Sequence, residues 1–132
     1  MTKTRNRYYN PNPKKSEKAN DCVVRALCKA TGNAWDDVYN ELCAIGFEMK
    51  VMPTCKPVWT EYLNRNNFIQ HKLSIKKGMK RPRVQSFASS NKSGTFVLQV
   101  AHHIVTCEDG YFYDTWDCGD AALYGYWEKP SA

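Results

Sequence analysis

Three residue types in this chain could do covalent chemistry together: a thiol, an imidazole and a carboxylate. The six cysteines stand at 22, 28, 43, 55, 107 and 118, and the only histidines are His71, His102 and His103. Cys22 lies in "NDCVVRAL", at the first or second position of an expected helix. Unpaired backbone N–H groups and the helix dipole stabilise an anion there and lower a thiol's pKa. At steps of about 100° per residue, Val23, Val24, Leu27, Cys28, Ala30 and Thr31 form the apolar side. Cys22 falls off that side, between Ala26 and Lys29 and near Arg25. Cys22 is therefore the candidate reactive thiolate, and Cys28 is expected in the core.

The partners for such a thiol lie in "AHHIVTCEDGYFYDTWD", residues 101–117. Asp109-Gly110 matches a two-residue hairpin turn, which sets Glu108 opposite Tyr111 and Cys107 opposite Phe112. Side chains alternate along a strand. His103, Val105, Cys107, Phe112, Asp114 and Trp116 then share one face, and His102, Ile104, Thr106, Tyr113, Thr115 and Asp117 the other. His103 and Asp114 become diagonal neighbours at roughly 5–8 Å between Cβ atoms, a gap that an imidazole and a carboxylate can bridge. A nucleophilic cysteine needs a base, and the base an orienting acceptor. Cys22, His103 and Asp114 supply the three parts. The rival pair, His102 with Asp117, falls on the opposite face.

The elements that must hold these residues are legible in outline. Residues 1–18 are polar and basic, with "NPNP", and are expected to form a mobile arm, leaving 19–132 as one domain. A helix follows over "NDCVVRALCKATG", capped by Asn20 or Asp21 and ended by Gly32. A second fits "NAWDDVYNELCAIG", stopping at Gly46, and a third fits "KPVWTEYLNRNN", with Pro57 at its start. "FIQHKLSI" suits a strand, the basic stretch after it a loop, and "RPRVQSFASSNKSG" a short helix. "TFVLQVAHHIVTC" has the composition of a central strand, "YFYDTW" of its return and "AALYGYWEK" of a last strand. Helices first and an antiparallel sheet second make the fold class α+β.

A length of 132 residues suits one domain. No apolar run is long enough for a membrane span, and the basic N-terminus lacks the apolar core of a secretory signal. The expected location is the cytoplasm, where thiols stay reduced. No CxxC or CxxxC pair occurs, which argues against a zinc site, so neither metal nor cofactor is expected. The net charge of +6 gathers in the arm and in Lys72, Lys76, Lys77, Lys80, Arg81 and Arg83. Such runs suit a solvated face, or an anionic partner such as nucleic acid.

"NDCVVRAL", followed much later by "HIVTCEDGYFYDTW", resembles small papain-like cysteine peptidase domains of bacteriophages and bacteria, akin to the C39-like, bacteriocin-processing branch. The resemblance covers roughly residues 19–127. It implies a papain-like fold, with N-terminal helices packed on a C-terminal antiparallel sheet, and a peptidase acting on a protein or peptide substrate. The nucleophile falls on Cys22, the base on His103 and the orienting acid on Asp114. His102 takes a place often held by glycine. Where such enzymes use a glutamine before the cysteine as an oxyanion donor, this chain has Ser16 and Glu17. The nearest amide is Asn20, which with the Cys22 backbone N–H is the candidate oxyanion hole. Trp116 would shield the His103–Asp114 pair or join the core, and Asp117 would line the site. Two other functions fit the same sequence: a catalytically silent papain-like module, such as a phage inhibitor of a host factor, and a basic nucleic-acid-binding protein.

Overall fold

The computed structural model describes residues 4–131. Helix α1 (Cys22–Thr31) starts and stops where the sequence signals it, with Asp21 as N-cap and Gly32 as left-handed C-cap. Val23, Val24, Ala26, Leu27, Cys28 and Ala30 are buried, and so is Arg25. α1 is thus enclosed on nearly all sides, where the sequence suggested a single apolar stripe.

Helix α2 (Trp35–Met49) runs one turn past the expected stop at Gly46. Gly46 is needed there for a different reason. A Cβ on it would lie 2.6 Å from the Val51 carbonyl oxygen, so only glycine lets the chain fold back against the helix. Helix α3 (Lys56–Arg65) begins with Pro57 in its first turn and buries Val58, Trp59, Tyr62 and Leu63. The short α4 spans Val84–Ser90.

Six strands form one sheet: β1 (Asn6–Tyr8), β2 (Ile69–Lys72), β3 (Thr95–Val100), β4 (His103–Glu108), β5 (Tyr111–Asp114) and β6 (Gly125–Glu128), in the order β1-β5-β4-β3-β6-β2. Residues 97, 104 and 127 face α1, α2 and α3, with Trp127 edge-on to Trp59 at 5.0 Å. Leu98, Val105, Cys107 and Phe112 face α4 with its Val84, Phe87 and Ala88. The α+β class is as expected, but two details of the sheet are not.

First, the basic segment 1–18, expected as a mobile arm outside the domain, contributes β1, which pairs parallel to β5. The sheet is therefore mixed, not purely antiparallel. Strand pairing uses backbone groups, so a polar segment with exposed Arg7 and Tyr8 can join an edge without supplying core residues. Asn10 and Asn12 beyond it are buried.

Second, "TFVLQVAHHIVTC" is not one strand. The chain turns at Ala101 and His102, pairing Val100 with His103 across a two-residue loop. His102 takes φ +55° in that turn. The β-rich composition of both arms masked a turn that carries none of the usual residues.

Candidate active site

The β4–β5 hairpin has the predicted register, with Glu108 opposite Tyr111, Cys107 opposite Phe112 and Thr106 opposite Tyr113. The predicted faces follow: Val105, Cys107 and Phe112 point to the α4 side, Ile104 and Thr106 to the α1 side. His103 begins β4 and Asp114 ends β5, so both lie at the open end of the hairpin. There they meet the first turn of α1.

His103 Nε2 and Asp114 Oδ2 are 2.5 Å apart. With Nε2 committed to the carboxylate, Nδ1 is the ring nitrogen left for another partner, and Cys22 lines the same cleft as this imidazole, near enough for each to shift the other's pKa. The structure thus places Cys22 and His103 in one cleft, with Asp114 bonded to the far side of the His103 ring. The rival pair does not form. His102 is exposed in its turn, and Asp117 accepts from Thr4 Oγ1 at 2.7 Å and from the Gly119 N–H at 2.9 Å. His71 is engaged elsewhere, with Glu128 at 2.9 Å.

Asp114 is 1% exposed, and four donors surround it. Besides His103, Arg25 Nη2 and the Thr115 N–H each lie 2.8 Å from Oδ1, and the Cys118 thiol lies 3.5 Å from Oδ2. A buried carboxylate without partners would take up a proton. Burial does push the Asp114 pKa up, but hydrogen bonding and charge from His103, then the charge of Arg25, bring it below the usual value.

The same balance runs through the other two groups. Burial works to lower the His103 pKa, yet its hydrogen bonds to Asp114, Cys118 and Cys22 raise it to about 11. Burial works to raise the Cys22 pKa, and it is overcome by hydrogen bonding and charge from His103, the Ile104 backbone N–H and Arg25. Both shifts run towards the charged forms, thiolate and imidazolium. The other buried thiols move the opposite way. Burial pushes Cys28 and Cys107 up to about 12, and Cys118 is also raised.

The cleft that Cys22 and His103 line has a volume of about 710 Å³. Asn20, His102, Trp116 and Gln99 line it, with Trp59 and Ile104 among its apolar walls. The Trp116 ring stands 5.2 Å from that of His103 and is 52% exposed, so it covers the imidazole from the solvent side and is not core. Asn20 is exposed at φ +53° just before α1. Asp117 is not among the residues lining the cleft.

Two residues of the site had weak or no sequence signal. Arg25 was visible only as a flanking cation, although its i, i+4 spacing from Asp21 on a helix is a recognisable pair. Cys118 had no signal at all. Its Sγ, with His103 and Asp114, forms a group whose ligand atoms lie within 4.8 Å of one another. Those three could close on a cation only by opening the 2.5 Å contact, and Arg25 already supplies positive charge to Asp114.

Away from this site, a second groove of about 630 Å³ is lined by Arg5 and Arg83 beside Tyr111, over which Arg7 stacks at 3.6 Å. It brings together one end of each basic segment. No helix of the described residues is long and apolar enough to cross a membrane. Comparison of the chain with family models, curated proteins and solved structures finds no match.

Proposed function

We propose that this chain is a papain-like thiol acyl-transfer enzyme, most simply a cytoplasmic cysteine peptidase that hydrolyses a peptide or isopeptide bond in a protein or peptide substrate. One observation carries the reading: Cys22, of lowered pKa at the mouth of α1, lines the same open cleft as a His103 whose Nε2 lies 2.5 Å from the Asp114 carboxylate. A thiolate–imidazolium pair with an oriented base is what nucleophilic acyl transfer requires.

The chemistry runs from these residues. The Cys22 thiolate attacks the carbonyl carbon, and the C=O electron pair becomes an oxyanion. Asp21 caps α1 without a side-chain hydrogen bond to its first turn, because its carboxylate is occupied by Arg25, Trp35 and Asn12. The first-turn N–H groups therefore stay uncapped. The Cys22 N–H and the Asn20 amide are the donors we assign to the oxyanion. Imidazolium His103 then protonates the leaving amine as the C–N bond breaks, leaving a thioester on Cys22. Neutral His103 takes a proton from water, whose oxygen attacks the thioester, and the thiolate returns as the acid leaves. Asp114 keeps the ring oriented throughout.

The test is labelling by iodoacetamide at pH 6.5 with mass-spectrometric mapping. Cys55 is the internal control, since it too stands at a helix N-terminus, is exposed, and has no histidine partner in any hydrogen bond of the described residues. Cys22 is expected to react much faster than Cys55. Equal rates would remove the basis for the reading. The groove of Arg5 and Arg83 favours a second reading, in which the protein binds nucleic acid. That binding would weaken steeply with salt and would survive Cys22→Ala.

A further inference from the structure

The His103–Asp114 pair is anchored from a direction that the hairpin cannot supply. Arg25 lies one turn along α1 from Cys22 and is buried. Its guanidinium bridges two carboxylates, with Nη1 2.8 Å from Asp21 Oδ1 and Nη2 2.8 Å from Asp114 Oδ1. Asp21 is itself 4% exposed and also accepts from Trp35 Nε1 at 2.9 Å and Asn12 Nδ2 at 3.2 Å. Asn12 belongs to the N-terminal segment and is buried with Asn10, which accepts its backbone N–H at 3.2 Å. A continuous polar path thus runs from the segment through Asp21 and Arg25 to the carboxylate that touches the base.

Arg25 and Cys22 share one rigid helical turn. Any displacement of α1 that moves the nucleophile therefore moves the group gripping Asp114 with it. Planar guanidinium forks fix carboxylate orientation better than an ammonium can. The groups around Asp114 are Arg25 from α1, His103 from β4, and the Thr115 N–H and Cys118 thiol from the β5–β6 connection, with Asp21 behind Arg25.

We infer that Arg25 is a positioning residue of this site: it locks Asp114 onto His103 from α1, and Asp21 and Asn12 hold Arg25 in place from the N-terminal segment. The inference rests on the acyl-transfer reading of the same site and adds to it a residue that acts through Asp114. It also gives the N-terminal segment a task in the chemistry.

The experiment follows Cys22 alkylation by iodoacetamide from pH 5 to 10 in wild type, R25M, R25K and N12A, with melting temperature measured alongside. R25M is expected to slow Cys22 at pH 6 by about tenfold, equivalent to a one-unit rise in its ionisation, while the alkaline rates converge. R25K should recover part of that loss, and N12A should slow Cys22 by about twofold in the same direction, the size of one weakened hydrogen bond. A merely structural Arg25 would lower the melting temperature and leave the pH profile of the folded fraction unchanged. That result in R25M overturns the inference. If R25M does not fold, unchanged profiles in both R25K and N12A overturn it. Failure of the acyl-transfer reading is distinguishable, because it shows in wild type as equal rates at Cys22 and Cys55. In that event the His103 ring nitrogens, observed by NMR across the same variants, decide on Arg25: a pKa that falls in R25M supports the role, and one that does not move excludes it.

Discussion

The two ends of the β4–β5 hairpin are built by opposite means. At the turn end, Asp109 and Gly110 take φ +51° and +87°, and four consecutive residues close the hairpin. At the open end, only His103 and Asp114 belong to the hairpin. Their partners Cys22 and Arg25 come from a helix far earlier in the chain, Arg25 lying 89 residues from Asp114, and Cys118 comes from the connection that follows. The turn end is local and sets register. The open end is long-range and sets electrostatics. A substitution at the turn should therefore change stability without touching the thiol, and one at the open end should change the thiol most of all.

Cys22→Ala should break the open end completely. Labelling at residue 22 and any peptide hydrolysis disappear, while the melting temperature stays near that of wild type because the side chain is only half-buried. A variant that keeps hydrolytic activity would transfer the chemistry elsewhere.

His103→Ala is the next largest effect. Loss of the base should slow Cys22 alkylation at pH 6.5 on the order of 100-fold, with recovery above pH 9 as the thiol ionises unaided. The same variant tests the sign of the histidine's linkage to folding. His103 is raised from 6.5 to about 11, so its contribution to stability is complete below 6.5 and is lost as pH rises towards 11. Urea midpoints of wild type and His103→Ala should accordingly differ most below neutral pH and converge in alkali.

Asp114→Asn sharpens the comparison, because it keeps shape and removes charge. Cys22 alkylation at pH 6.5 should fall by about tenfold, one unit of lost thiolate stabilisation. The Asp114 pKa is lowered from 3.8, so the carboxylate stabilises the fold above that value and ceases to do so as pH falls below it. Acid titration should show wild type losing its advantage over Asp114→Asn in that range.

Gly110→Ala acts on the turn end. Its positive φ and a Cβ that would lie 3.2 Å from Lys92 Cα should cost about 1–2 kcal/mol, read as a lower urea midpoint. Cys22 reactivity in the folded protein should not change. A loss of reactivity would mean that the two ends are coupled through the strands.

His102→Ala should have the smallest effect. The side chain is exposed in a turn and has no partner in any hydrogen bond of the described residues, so its rate and stability should stay within about twofold of wild type. A loss like that of His103→Ala would exchange the two histidines.

Much of this arrangement was written locally. Asp21 and Gly32 mark α1, Pro57 marks α3, and Asp109-Gly110 fixes a register that puts His103, not His102, beside Asp114. Those signals depend on φ preferences and side-chain alternation over a few residues, so the sequence suffices. Cys22 as an off-stripe thiol at a helix mouth was legible for the same reason. What the sequence did not reveal lies where distant segments meet. β1 joins the sheet through backbone hydrogen bonds, which leave no mark on composition. The turn at Ala101 and His102 hides between two β-rich arms. Arg25 stood out only as a cation near Cys22 because burial of a guanidinium depends on two carboxylates, one of them far away in sequence, and Cys118 approaches Asp114 only through the path of the last loop. Local conformation follows from neighbouring residues, whereas the pKa shifts of Cys22, His103 and Asp114 follow from which partners outweigh their burial. Only the tertiary structure decides that.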